Sequence, residues 1–145
     1  IQQSLEETLG LTVELSVAGD NSLFIADRNE GNYDFFLGGW YSDYNDPLDF
    51  LYTNYTDAYG MSFGGYSNTD YDALADQLVG ETDMDKRLDI YKQMEQILLL
   101  DDCAFAPIYY ATKQVLLQNW VKDYRTSSFG ASAEFIWTYI DGKNQ

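Results

Sequence analysis

An α/β fold is the architecture the sequence predicts, and three observations carry that expectation. Helical and extended signatures alternate along the chain instead of segregating into blocks. The opening residues run helix, glycine stop, strand, which is an αβ unit. The strongest apolar periodicity, through residues 90–98, has the spacing of a helix packed along one face.

Each element follows from local chemistry. Ile1, Leu5 and Leu9 share one helical face, and Gly10 stops that helix. Residues 11–17, LTVELSV, alternate apolar with polar and read as a strand. Asp20 or Asn21 caps a short helix over residues 23–28, closed near Gly31. Residues 33–37, YDFFL, read as a buried strand that empties into GGWYSDYNDP, a loop marked by its Gly, Ser, Asn, Asp and Pro. Asp46-Pro47 places a capping acid before a residue preorganised for the first helical position, so LDFLYTNY starts a short helix. Residues 56–69 are polar and glycine-rich and read as a loop. Tyr71, Leu74 and Leu78 mark the next helical face, closed at Gly80. Thr82 or Asp83 caps the longest helix, whose inner face is Ile90, Tyr91, Met94, Ile97 and Leu98. Residues 104–110 read as a strand and 113–117 as another extended piece, while 124–145 are aromatic without a clean period.

Composition removes several functional classes. The chain has 145 residues, enough for about one domain, with 24 acidic and 8 basic side chains and a net charge of −16. That charge opposes nucleic acid, which needs Lys and Arg to displace counterions, and opposes docking on an anionic membrane. Acidic disordered tails are poor in aromatics; at 17% aromatic, this chain folds. There is no histidine, which removes Ser-His-Asp and Cys-His catalysis and His-ligated zinc. The single cysteine, Cys103, has no partner for an internal disulfide and reads as a buried small hydrophobe in DDCAFAPIYY. No apolar run is long enough to span a bilayer. The chain starts without Met, in a helix already under way. It is therefore expected to be a fragment of a larger protein, with any signal peptide or lipid anchor outside it.

Carboxylate pairs such as Asp101-Asp102 and Asp43/Asp46 are expected by chance in so acidic a chain, and acid–base catalysis needs carboxyls held about 5–9.5 Å apart across a cleft. Asn68-x-Asp70-x-Asp72 opens like a calcium loop, but Ala73 stands where Gly is required and Val79 where Glu is required. These acids are read as capping a helix. Asn54-Tyr55-Thr56 is a formal glycosylation sequon. No catalytic residue, metal site or cofactor is expected. The loop aromatics say more. Trp40, Tyr41 and Tyr44 surround Asp43 in a loop at the carboxyl end of a strand, where α/β sheets bind ligands. Aromatic faces with polar tips can line a cleft for a chemically varied ligand, and a carboxylate among them calls for a cation such as an ammonium group. The alternative is that Trp40 packs in the core and Asp43 caps the following turn. Residue chemistry alone leaves both open.

An ordered set of motifs resembles the peptide-binding proteins of bacterial ABC importers, the oligopeptide- and dipeptide-binding family. Gly39-Trp40-Tyr41-Ser42-Asp43, followed by Asp46-Pro47, looks like the family's "GW, two residues, D" signature and its acid-Pro helix start. Tyr66-Ser67-Asn68 before Asp70-Tyr71-Asp72-Ala73-Leu74 is similar to the family's entry to the next helix. Arg87 with Tyr91 resembles its R-x-x-x-Y helix, and Pro107-Ile108-Tyr109-Tyr110 its P-x-Y-Y strand. The resemblance runs from residue 1 to about 125.

It implies part of a two-lobed periplasmic-binding-protein-like fold of type 2, a mixed sheet flanked by helices, which closes on ligand by hinge motion. Residues 1–111 would belong to the ligand-binding second lobe, and 112–145 would return toward the first lobe. The implied function is that of an extracytoplasmic solute-binding component, not an enzyme, with Asp43 capturing a peptide α-amine and Trp40, Tyr41 and Tyr44 lining the pocket. Its implied partners are a peptide and the permease subunits of the transporter, with membrane attachment only through a lipid anchor outside this chain. Binding of a sugar on Trp40, or of another small solute, is the runner-up within the fold, and an acidic carbohydrate-active enzyme or a sensor or adhesion module stands outside that reading. Apolar surface at 111–117 and 129–139 is expected to favour self-association.

Overall fold

Side-chain caps set the starts of most of the helices. The structure, a computed structural model, describes all residues except 32, 60–62, 131–132 and 144–145, and of residue 63 the backbone alone. It divides into two units, Ile1–Leu37 and Gly38–Gln145. The boundary expected after residue 111 concerns a partner lobe; within this chain the contacts group differently, and residues 112–145 belong to the second unit.

The first unit holds α1 (Gln2–Leu9) and α2 (Asn21–Glu30). Gly10 ends α1 at φ 67°, left-handed backbone that disfavours a side chain, and its N–H returns to the Glu6 carbonyl at 3.1 Å. Asp20 caps α2, accepting from the N–H groups of Ser22 and Leu23 at 2.8 and 2.9 Å. Phe36 meets Phe24 and Tyr33 edge-on, with ring centroids 6.1 and 5.3 Å away.

The second unit packs three helices, α3 (Leu48–Tyr55), α4 (Thr69–Leu78) and α5 (Met84–Glu95). Asn68 caps α4 through the N–H groups of Asp70 and Tyr71, and Asp83 caps α5 through those of Asp85 and Lys86. The expected inner faces meet: Tyr71 and Leu78 of α4, joined by Ala75, bury against Ile90, Tyr91 and Met94 of α5, with Leu51 and Tyr55 of α3 closing the core. Leu74 and Ile97 pack at its edge. The buried Tyr71 hydroxyl donates to the Leu51 carbonyl at 2.8 Å, so the central ring is satisfied at its polar tip. Beyond α5 the chain widens into a π-helical turn, Gln96–Asp101, which carries Leu98 into the core. Asp102 follows and accepts from the Tyr66 hydroxyl and the Asn68 amide at 2.7 Å each, tying the entry of α4 to the exit of α5. Asn54 is buried in α3 and donates to the Phe50 carbonyl, which removes the sequon as a glycan site.

Two expectations need correction. Residues 11–17, 33–37, 104–110 and 113–117 join no strand ladder among the described residues. Alternation shows which residues suit a sheet, but a ladder also needs a neighbouring edge, and none is paired with these segments. The described sheet is instead a two-stranded antiparallel pair, β1 (Val121–Lys122) with β2 (Tyr139–Ile140), in the tail that showed no period. Cys103 is exposed, not buried: it follows the π-helical turn at φ 49°, where the chain leaves the helix and points the thiol outward.

If this three-helix core carries the second unit, Met94→Ala should lower unfolding free energy by about 2–5 kcal/mol, whereas Leu100→Ala at an exposed position should stay within about 0.5 kcal/mol. Urea unfolding followed by circular dichroism measures both.

Candidate ligand site

The loop between Gly38 and α3 is held by two acids of different kinds. Asp49, in the first turn of α3, is 1% exposed. Its Oδ2 accepts the Trp40 indole N–H at 2.8 Å and the Asp43 backbone N–H at 3.1 Å. A buried carboxylate needs donors in place of water, and these two draw the loop over the helix start. Trp40 is therefore half-buried, fixed at its nitrogen and in contact with solvent elsewhere.

Asp46 caps α3 as expected, its Oδ1 accepting from the Leu48 N–H at 2.9 Å. It also receives the Tyr91 hydroxyl and, at 2.7 Å, the Arg87 guanidinium. Arg87 donates further to the carbonyls of Leu78 and Glu81 at 3.2 and 3.0 Å, so one side chain joins the loop, the end of α4 and the face of α5. Burial pushes the Asp46 carboxyl up, but the Tyr91 hydroxyl, the Leu48 N–H and Arg87 together hold it below the usual aspartate value. Burial, with the Asp46 hydrogen bond behind it, pushes Tyr91 up to about 12.

The candidate residues come together on this support. Tyr41, Asp43 and Tyr44 are all exposed. Among the described residues the Asp43 carboxylate accepts no hydrogen bond; its backbone N–H, not its side chain, ties it down. Turn capping falls to the Ser42 hydroxyl, which donates to the Tyr44 carbonyl, and to Asp46. Burial and then the nearby Asp49 and Asp46 raise the Tyr44 phenol. The C-terminal part of the unit reaches the same loop. The Lys113 ammonium lies 5.6 Å from the Tyr41 ring centroid, and the Gly130 N–H donates to the Ser42 carbonyl at 3.3 Å.

Sequence reasoning did not single out Asp49 or the bond between Arg87 and Asp46. The signal for Asp49 is an acid flanked by Leu48 and Phe50 on an otherwise apolar helix start. No group of acids, cysteines or histidines that could hold a metal occurs among the described residues.

In sequence and in fold the chain resembles solute-binding proteins. Residues 1–62 match the model described as bacterial extracellular solute-binding proteins, family 5, middle. The chain is 32% identical to the oligopeptide-binding protein OppA of Bacillus subtilis, over 85% of its own length and 21% of that protein. Among solved structures it resembles that of the pheromone receptor PrgZ, a peptide-binding protein (TM-score 0.74, 30% identity, 97% of this chain and 26% of that one). It also resembles the substrate-binding domain of an oligopeptide ABC transporter from Bacillus anthracis (TM-score 0.82, 25% identity, 96% of this chain and 27% of that one). The likeness to peptide-binding solute-binding proteins read from the sequence is thus borne out, and the relatives are binding proteins by name. The chain spans about a fifth of the length of the curated relatives it matches. No described helix is long and apolar enough to cross a membrane.

Two outcomes follow. Asp49→Leu strips the acceptor from two donors and should cost on the order of 1–3 kcal/mol, while Asp49→Asn, which keeps an acceptor oxygen, should cost less. Quenching of Trp40 fluorescence by iodide should rise in the leucine variant. Because Asp46 has a lowered pKa in the folded state, its stabilisation is present at neutral pH. That stabilisation should fade as pH drops below the ordinary aspartate value, about 3.9, through the lowered one. Acid titration of stability should therefore be shallower in Asp46→Asn than in the wild type.

Proposed function

We propose that this sequence is part of the extracytoplasmic solute-binding component of a bacterial ABC importer, that it binds peptides and that it is not an enzyme. In this reading Asp43 captures the peptide α-amine, while Trp40, Tyr41 and Tyr44 line the cleft and extended-backbone hydrogen bonds tolerate varied side chains. The observation that supports it best is the division of labour between acids: Asp49 and Asp46 carry the structural bonds, and the Asp43 carboxylate stays exposed within an aromatic rim. The permease subunits are its proposed partners and a lipid anchor outside these residues its proposed tether. Residues 112–145 are proposed to run on toward the facing lobe.

In the full-length protein, Asp43→Asn should weaken binding of a free peptide by about 2–5 kcal/mol, the range for unpairing a buried charge. The N-acetylated form of the same peptide, which has no ammonium to pair, should lose far less. Equal losses by calorimetry would assign Asp43 to the loop's structure and remove amine capture. The 145-residue chain alone exposes Ile108, Tyr109, Tyr110, Leu116 and Ile136. It should therefore self-associate, more strongly as salt screens its −16 charge. Light scattering that finds a monomer at every salt concentration would contradict this.

A further inference from the structure

Asp49 stands on the first turn of α3, and Leu51 and Tyr55 of the same helix lie in the core. Its carboxylate is thus carried by a packed element, whereas the two residues it holds sit in a loop. One oxygen, Oδ2, takes both bonds: the Trp40 indole N–H at 2.8 Å and the Asp43 main-chain N–H at 3.1 Å. An indole has a single N–H and a main chain one N–H per residue, so each donor is spent on this oxygen. The first bond fixes an aromatic wall of the candidate site at its polar end. The second fixes the backbone of Asp43 and leaves the carboxylate only its own side-chain torsions. Because the two bonds meet at one atom, the wall and the acid keep a set separation. Contact groups of a binding site have to be held within about 0.5 Å of the productive geometry, and a loop ordered in folding spares binding that cost. At 1% exposure Asp49 is out of a ligand's reach, so its influence on binding passes through the two residues it holds.

We propose that Asp49 is a positioning residue of the peptide site: it sets the Asp43 carboxylate against the Trp40 ring, and so determines how sharply the site tells a charged α-amine from a blocked one. This role rests on the amine-capture reading above and adds to it what makes the capturing acid selective. A free peptide needs Asp43 in place, whereas a peptide without an ammonium does not. Releasing Asp43 therefore penalises the free peptide alone.

Calorimetry on the full-length protein reads this as a ratio, the affinity for Ala-Ala-Ala over that for N-acetyl-Ala-Ala-Ala. A partly unfolded variant loses apparent affinity for both peptides by the same factor, so damage to the fold alone leaves the ratio unmoved. Asp49→Leu should lower the wild-type ratio roughly tenfold, the scale of ordering one or two side chains at binding instead of before it. Asp49→Asn keeps an oxygen that accepts both bonds and should hold the ratio within about twofold of wild type. Asp49→Ala repeats the measurement in case leucine does not fit the buried position. A ratio that survives the leucine and alanine variants makes Asp49 a residue of the fold alone and overturns its positioning role, with amine capture left standing. An asparagine variant that loses as much as leucine assigns the effect to the charge of Asp49 and also overturns positioning. A wild-type ratio of about one removes amine capture, and no binding of either peptide removes the peptide-binding reading; this inference falls with either.

Discussion

A carboxylate removed from water has to be answered by donors, and in this chain Asp49 meets that demand with the Trp40 indole and the Asp43 backbone. The rest of the loop depends on that bond pair. It fixes where the indole sits, and by holding Asp43 through its main chain it leaves the Asp43 side chain outside the structural network. Under the proposed role of Asp43, such a separation leaves the group that would meet ligand free of the bonds that hold the fold together.

The second constraint is the hold of Arg87 and Tyr91 on Asp46. Arg87 forms a fork of donors, and it uses them on a carboxylate, the last carbonyl of α4 (Leu78) and the Glu81 carbonyl in the connection that follows. Carbonyls at a helix end have no intrahelical partner, so a guanidinium there satisfies α4 while fixing the loop to α5. The helix core and the loop before α3 are mechanically one piece for this reason: the face of α5 that buries Ile90, Tyr91 and Met94 also presents the phenol that grips the loop. The arginine and tyrosine four residues apart, noted in the sequence as a family-like spacing, have a physical sense here, since that interval puts both on one helical face.

Helices were legible in the sequence because their determinants are local. Asp20, Asn68 and Asp83 cap where short polar side chains precede apolar periodicity, and the α4 and α5 faces follow the helical period. Strands were not legible in the same sense. Residues 11–17 alternate as well as any strand, but whether they join a sheet depends on an edge elsewhere, which local pattern does not encode. Conversely, Val121–Lys122 and Tyr139–Ile140 pair although two-residue strands carry no readable period. Cys103 misled because its apolar neighbours suggested burial, while the positive φ that turns it outward comes from the unusual helix end before it. Within the loop, Trp40, Tyr41, Asp43 and Tyr44 stood out by composition. Asp49 did not, since burial of an acid is a property of packing.

The Gly130 N–H that meets the Ser42 carbonyl comes from far along the polypeptide. Closing so long a loop carries an entropic cost that local helix contacts avoid, and distant pairings form late. During synthesis the helices between Leu48 and Asp101 can assemble as soon as they clear the ribosome, with the Asp49 and Asp46 bonds already in reach. The outer brace on Ser42 and the approach of Lys113 to Tyr41 wait for the C-terminal stretch. A nascent chain would therefore hold a finished core beneath a loop secured on one side only. Truncation before Gly130 would yield a protein whose helices still fold by bulk spectroscopic measures but whose loop lacks that brace.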